Sequence, residues 1–421
     1  MATVYRVATQ LASQAAERLL RRNQIAEEFF SREAFGLAEA SRSMSERFLA
    51  GGRLLAFGRG PYATDAQHVS VEFVHPVIVG KRALAALDIS MLFRPWLETI
   101  LDPEDIVMGF GPPQGDGEIR SALGFARLGG ALTFALPGSD DDDNADDAGA
   151  AHNAGHNSEH RAVHHYAVEA CTEDPFIHQE MIEMLYHVLW ESVHVFLEHR
   201  ELGHDVGQAG FLYPFLGQEK QETGDLVAEV AASIRMKVED DSRLRAQVAR
   251  EQAEAIGSTA LAIHERLARG GKLIIFGNGG SATDANDWAI DCVLPPSGYR
   301  PVRAVSLSLE PANISAIAND VGTDVIFLRQ LIAQAGPEDI AIGISTSGGS
   351  RNIIMALEEA RRRNLVTVAL LGYDGGEIKR RGLADFPMVV QCDYIPRIQE
   401  VQASIYHIIR EMLEVLSRGH A

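Results

Sequence analysis

Residues 270–285 read GGKLIIFGNGGSATDA: an apolar run, a glycine turn, then the opening of a helix. The run KLIIF fits a strand buried on both faces, as parallel sheets require. Glycines at a strand-to-helix turn let backbone N–H groups approach an anion, and the helix N-terminus adds the positive end of its dipole. Nearly the same stretch occurs 219 positions earlier, where residues 51–66 read GGRLLAFGRGPYATDA. The echo continues: Pro103-Glu104-Asp105-Ile106 answers Pro337-Glu338-Asp339-Ile340, and Gln179-Glu180 with His187 answers Gln399-Glu400 with His407. A repeat this long exceeds any solenoid unit and implies two copies of one domain.

Each copy opens with helical periodicity, at 5–48 and 222–268, and closes with a helix, at 178–199 and 398–418. Between them lie strand candidates at Ile106–Phe110, Ala131–Ala135, Ile340–Ile344 and Thr367–Leu371, with a helix at Asn352–Arg363. Alternating strands and helices predict an α/β fold with a parallel sheet flanked by helices in each copy. The expected division is residues 1–200, a linker at 201–221 and residues 222–421. The linker's GFLYPFLG is too apolar for a free tether and is expected to dock. The run Ser139–Asn157, rich in Asp, reads as a solvated insertion. His152, His156, His160 and His164 would line one face of a helix and offer metal ligands, but Gly155 and the asparagines oppose a continuous helix.

In 421 residues, 46% are hydrophobic and 23% charged, an ordinary globular composition. The net charge of −20 disfavours nucleic acid and anionic membrane as partners. It leaves room for an anionic substrate, since a nest of N–H groups is positive locally. Cys171, Cys292 and Cys392 form no CxxC pair and read as reduced thiols. The first residues carry no apolar signal core, and no run approaches ~18 apolar residues, so a cytoplasmic protein is expected.

A second polar loop, Ser345-Thr346-Ser347-Gly348-Gly349-Ser350, also follows a strand and opens a helix. Two such loops at strand ends form the usual ligand crevice of a parallel sheet. Hydroxyls and amides without a P-loop lysine suit a compact phosphate monoester, and no nucleotide cofactor is expected. The phosphate set is therefore Asn278, Gly279, Gly280, Ser281, Ser345, Thr346, Ser347 and Ser350, against the alternative of two helix caps with turn glycines. Copy one has Gly58-Arg59-Gly60-Pro61-Tyr62 and Gly111-Pro112-Pro113-Gln114-Gly115 at these places. Prolines remove donors there and tyrosine adds bulk, so phosphate binding is expected only in copy two.

On the helix after the first loop, Asp65, His68 and Glu72 share a face. An imidazole and a carboxylate four residues apart suit one metal ion, and Gln179 and His187 on the closing helix complete four candidate ligands. Copy two has Asp287, Asp291, Gln399 and His407 instead. The alternative for copy one is a buried polar network in a purely structural domain.

GNGGSATDA, GISTSGGS and RIQEVQASIYH resemble the sugar isomerase (SIS) domain, nearest to its phosphoheptose isomerase branch. The resemblance spans most of 225–418 and, more faintly through FGRGPYATDAQHVSVE and HQEMIEMLYH, about 5–200. It implies two tandem Rossmann-like five-stranded domains and a sugar phosphate such as sedoheptulose 7-phosphate. It also implies aldose–ketose isomerisation through an enediol, with sites in a homo-oligomer, here a dimer of the two-domain chain. The family's phosphate hydroxyls fall on Ser281, Ser345, Thr346, Ser347 and Ser350, with Gln399 beside the substrate. Its catalytic glutamate falls on Glu72 and Asp291, its catalytic histidine on His187 and His407. Its zinc quartet falls on His68, Glu72, Gln179 and His187. The arginine expected four residues beyond the glutamate is Pro76 and Pro295, and an expected aspartate is Glu310. These readings predict either an isomerase with labour divided between the copies or a non-catalytic sugar-phosphate-binding regulatory or scaffold protein.

Overall fold

The computed structural model describes residues 2–77, 81–138, 164–202 and 223–419. The Asp-rich run 139–157 with His152 and His156, as well as His160 and the linker core GFLYPFLG, lie outside them. Helices α1 (Ala2–Leu49), α2 (Ala63–Val74), α3 (Phe93–Ile100), α4 (Gly117–Leu128) and α5 (Pro175–Leu202) accompany the first five strands. These strands are β1 (Leu54–Gly58), β2 (Ala86–Asp88), β3 (Ile106–Phe110), β4 (Leu132–Leu136) and β5 (His165–Ala167). They form one parallel sheet in the order β2-β1-β3-β4-β5.

The second set begins with α6 (Thr223–Glu251) and α7 (Ala253–Ala268). Strands β6 (Leu273–Gly277), β7 (Ala304–Ser306), β8 (Ile340–Ser345), β9 (Val366–Gly372) and β10 (Phe386–Val390) pair in parallel as β10-β9-β8-β6-β7. Around them lie α8 (Gly280–Val293), α9 (Pro311–Asp320), α10 (Ile326–Gln334), α11 (Arg351–Arg362), α12 (Gly376–Arg380) and α13 (Ile395–Ser417). Replacing each strand by its counterpart five places on turns one sheet order into the other, so the duplication holds for topology as well as sequence. Central strands β1, β3, β4, β6 and β8 are buried along their whole length, which is why they read as continuous apolar runs. The helical stretch expected at 222–268 breaks at Gln252. Its side chain leaves the helix to accept from Val389 N at 2.7 Å and donate to Val389 O at 2.5 Å, pinning the edge strand β10.

The chain packs as two compact units, Ile25–Val238 and a second made of Met1–Gln24 with Glu239–Ala421. This differs from the expected division at 201–221, because each long opening helix serves two cores. In the second unit, Leu11, Ala15 and Leu19 of α1 are buried with Ile256, Ile263, Ile405 and Ile409. A Cβ added at Gly257 would meet Leu11 at 3.0 Å, so α1 and α7 approach through that glycine. The buried Arg22 guanidinium donates to Glu411 of α13 at 2.8 Å, and Asn23 donates to Ser242 O at 2.8 Å. Reciprocally, Leu226, Val230, Ile234 and Val238 of α6 belong to the core of the first unit, beside Met181 and Leu185. A helix's apolar stripe specifies that it is buried, not whose core receives it.

Candidate functional site

In both units the first turn has one shape. A Cβ on Gly58 would lie 2.1 Å from Tyr62 O, and one on Gly277 would lie 2.1 Å from Ser281 O. The Gly58 N–H donates to Ser90 Oγ at 3.1 Å and the Gly277 N–H to Ser308 Oγ at 3.2 Å. Only glycine permits the helix to start so close to the strand end. In the second unit the turn leads through the exposed Asn278 and Gly279 to the buried Gly280 and Ser281. Asn278 and Asn352 exchange amide hydrogen bonds at 3.0 and 2.9 Å, tying this turn to the start of α11. The serine loop follows β8, which pairs directly with β6. Ser345 is buried, Thr346 and Ser350 half-buried, and Ser347 exposed. Gly348 holds φ +60°, and a Cβ there would strike Gly375 O at 2.2 Å, so the loop is folded back tightly. Ser350 stands at the N-cap of α11 but its hydroxyl does not cap the helix; it accepts from Ser345 Oγ at 3.3 Å. The structure thus brings the expected phosphate residues of both loops to neighbouring strand ends.

The first unit closes the same place from within. Asp116 caps α4, accepting from Glu118 N at 2.8 Å and Ile119 N at 3.2 Å, and its second oxygen accepts from Arg59 at 2.9 Å. A carboxylate of the chain therefore occupies the helix N-terminus where an anion would bind. Arg59 and Asp116 were not singled out from sequence. Asp followed by a glycine and Glu118 before an apolar run is nevertheless a readable cap signal.

Behind the loops, the helices following the first turns present their polar residues inward. In the first unit His68, Glu72, Gln179 and His187 are all at least 95% buried. His68 Nε2 lies 3.8 Å from Glu72 Oε1, and the His68 and His187 rings meet edge to face at 5.1 Å. One ligand atom from each of His68, Glu72 and His187 lies within 4.8 Å of the others. That donor set fits zinc or a similar divalent ion. Gln179 faces the same helix but its amide nitrogen donates to Asp65 at 3.1 Å and Thr64 at 3.4 Å. Deeper toward the loops, His178 is held near 4 by burial, opposed by its contact to Gly111 O at 3.2 Å.

In the second unit Asp287, Asp291 and His407 form the equivalent cluster, with Gln399 buried on the same helix as His407. His407 Nε2 lies 3.2 Å from Asp291 Oδ2 and 3.4 Å from Asp287 Oδ2. Tyr406, a residue missed from sequence, donates to Asp287 Oδ2 at 2.7 Å. Burial, and then the neighbouring Asp287 charge, push the Asp291 carboxyl up to about 7, while His407 pulls it down. Asp287 and Asp291 follow Ser281 by six and ten residues of α8, roughly 9 and 15 Å along the helix axis.

Residues 238–372 match the SIS domain family. Phosphoheptose isomerase of Solidesulfovibrio magneticus is 39% identical over 178 residues, 42% of this chain and 86% of that protein. The phosphoheptose isomerase of Geobacter sp. (strain M21) is 38% identical over 190 residues, 45% of this chain and 96% of that protein. In fold alone, tagatose-6-phosphate ketose/aldose isomerase from Escherichia coli aligns over 99% of this chain and 96% of its own, with a TM-score of 0.55 at 13% identity. Among the described residues no helix is long and apolar enough to cross a membrane. With two sheets of one topology and relatives matched over most of their length, the chain belongs to the phosphoheptose isomerase family of SIS-domain proteins and carries two such domains in tandem.

Proposed function

We propose that this protein is a sugar-phosphate isomerase whose second unit interconverts aldose and ketose forms through an enediol. The observation that carries the reading is the buried Asp291–His407 pair on the helices behind two hydroxyl-lined loops. The phosphate seats against Ser281, Ser345, Thr346, Ser347 and Ser350, where amides and helix dipoles favour a dianion. Asp291 takes the proton from the carbon beside the carbonyl, and the C–H electron pair becomes the enediol double bond. His407 gives a proton to the carbonyl oxygen as its π electrons move onto it. Returning the first proton to the neighbouring carbon, and the hydroxyl proton to His407, completes the exchange. A carboxyl raised to about 7 is a stronger base than an ordinary aspartate and still half ionised near neutrality. Gln399 and the Tyr406–Asp287 hydrogen bond orient the pair.

In the first unit His68, Glu72 and His187, with Gln179 as fourth ligand, would hold zinc or another divalent ion. Such an ion supplies Lewis-acid polarisation of a bound oxygen. We further expect the chain to assemble as a dimer, measurable by light scattering. The substrate class is a C5–C7 ketose phosphate, with sedoheptulose 7-phosphate first among them. A coupled assay across that series tests the reading, with Asp291→Asn and His407→Gln as the paired variants. Turnover lost in both variants with phosphosugar affinity retained supports it.

A second reading is a sugar-phosphate-binding regulatory or scaffold protein. It draws on Asp287 and Asp291, whose short side chains stand where the family has a histidine and a glutamate. Tight phosphosugar binding with no turnover by the wild-type chain would decide for it.

A further inference from the structure

A recess of about 300 Å³ lies at the opposite end of the second sheet from the phosphate loops. Its walls come from the end of α7, the segment Arg300–Arg303 that enters β7, and the last turns of α13. Leu267, Val302 and Leu413 supply apolar lining. Three guanidinium groups join them, with Arg300 and Arg303 exposed and Arg410 wholly buried.

Arg410 donates through Nε to Asp291 O at 3.3 Å and through Nη2 to Arg300 O at 2.5 Å, and its guanidinium lies 5.3 Å from the Tyr299 ring. Among the described residues no acceptor reaches its Nη1. A buried cationic donor without an acceptor is costly, and an anion or water in the recess is the usual remedy. The negative group in the wall is Glu414, which is already engaged. Its oxygens accept from Arg300 N at 2.8 Å and Arg418 Nε at 2.7 Å. Arg300 Nε lies 4.0 Å from Glu414 Oε1. Among the described residues Arg410 has no carboxylate partner and Arg303 donates only to Gly270 O at 2.7 Å, so these two guanidiniums leave the recess positive.

We propose that this recess binds a small organic anion, its carboxylate or phosphate on Arg410, Arg300 and Arg303 and its apolar body on Leu267, Val302 and Leu413. Such an arrangement, a few convergent polar groups in a mostly apolar concavity, is the general form of a small-molecule site. It is separate from the phosphate loops, which follow the ends of β6 and β8, whereas this recess lies where β6 and β7 begin. The inference does not depend on the isomerase reading.

Benzoate, phenyl phosphate and the neutral benzyl alcohol, titrated calorimetrically into the full chain, test it. Both anions should bind and the alcohol should not. Arg303→Gln, a change at an exposed residue, should weaken benzoate roughly tenfold. Leu267→Trp, which fills the recess, should abolish benzoate binding, while Ser347→Ala in the phosphate loop should leave it unchanged. Absence of binding by both anions would overturn the proposal, as would equal binding of benzyl alcohol. So would benzoate binding indifferent to Arg303→Gln and Leu267→Trp, or phenyl phosphate binding lost only with Ser347→Ala. Loss of dimer in Leu267→Trp without any anion binding would also overturn it, showing a second copy as the occupant.

Discussion

The starts of α4 and α11 occupy the same place in their two sheets, yet they meet the solvent differently. At α4 the Asp116 carboxylate satisfies two helix N–H groups and binds Arg59. At α11 the Ser350 side chain caps nothing, and the neutral Asn352 Oδ1 accepts from Ile353 N at 2.9 Å. One helix end meets a carboxylate of the chain and the other only a neutral amide, and we propose that the second is the one a phosphate uses. Behind them the contrast is repeated in the buried clusters, where His68, Glu72 and His187 offer two imidazoles and a carboxylate. Asp287, Asp291 and His407 offer the inverse ratio. On the proposed reading the former holds a metal and the latter moves a proton; duplication preserved the positions while the donor sets at them diverged.

The largest test of that divergence is a crossed pair of histidine variants. His187→Ala should lower divalent-metal affinity more than a hundredfold, read by metal analysis after dialysis. His407→Ala should leave metal content unchanged and reduce turnover ~10²–10⁴-fold. Equal metal loss in both would erase the distinction between the clusters.

Next in size is phosphate recognition. Ser281→Ala with Ser347→Ala should weaken sugar-phosphate binding at least ~100-fold, since hydrogen bonds to a charged group contribute about 1.5–3 kcal/mol each. Asp116→Ala should not change it. Calorimetric titration with a ketose phosphate separates the two, and a comparable loss in Asp116→Ala would place phosphate in both units.

The third test is acid–base. Asp291 is raised from 3.8 to about 7 by burial and then by Asp287, so the folded protein holds a proton that the unfolded chain has released. Stability from this group is complete below about pH 4 and is lost as pH rises to about 7. His178 is lowered from 6.5 to about 4 by burial, so the unfolded chain binds the proton first. Its contribution is complete above about pH 6.5 and is lost as pH falls toward 4. Relative to wild type, Asp291→Asn should therefore gain in denaturation midpoint as pH rises through its window. His178→Gln should gain as pH falls through its own. Parallel shifts in both variants would contradict these assignments. The smallest effect concerns the caps themselves: Asp116→Ala should cost about 1 kcal/mol of stability and Ser350→Ala almost none, by chemical denaturation.

The sheet centres, the turn glycines and the inward helix faces were legible because each has a strong local signal. LIIF, IVMGF and IAIGI are apolar throughout, and polar residues at helical spacing within an apolar helix announce a buried cluster. Strands β2, β5 and β7 were not read, since three residues carry no periodicity and form only because a neighbour's edge is available. Tyr406 was missed for a related reason: on an apolar helix an aromatic residue reads as core, and only the fold shows its hydroxyl meeting Asp287. The sharing of α1 and α6 between units was invisible because one apolar stripe fits either core equally well.

That sharing bears on how the protein is made. Leu11, Ala15 and Leu19 leave the ribosome long before Ile405, Ile409 and Leu413, which share the core that receives them. The second unit thus remains incomplete until α13 is made, and the apolar stripe of Leu11, Ala15 and Leu19 needs a temporary shelter until then. A gene severed at the linker would deprive each fragment of a helix end that its own core requires. The ancestral duplication is in this sense locked: the halves share a sequence history but no longer possess separate folding lives.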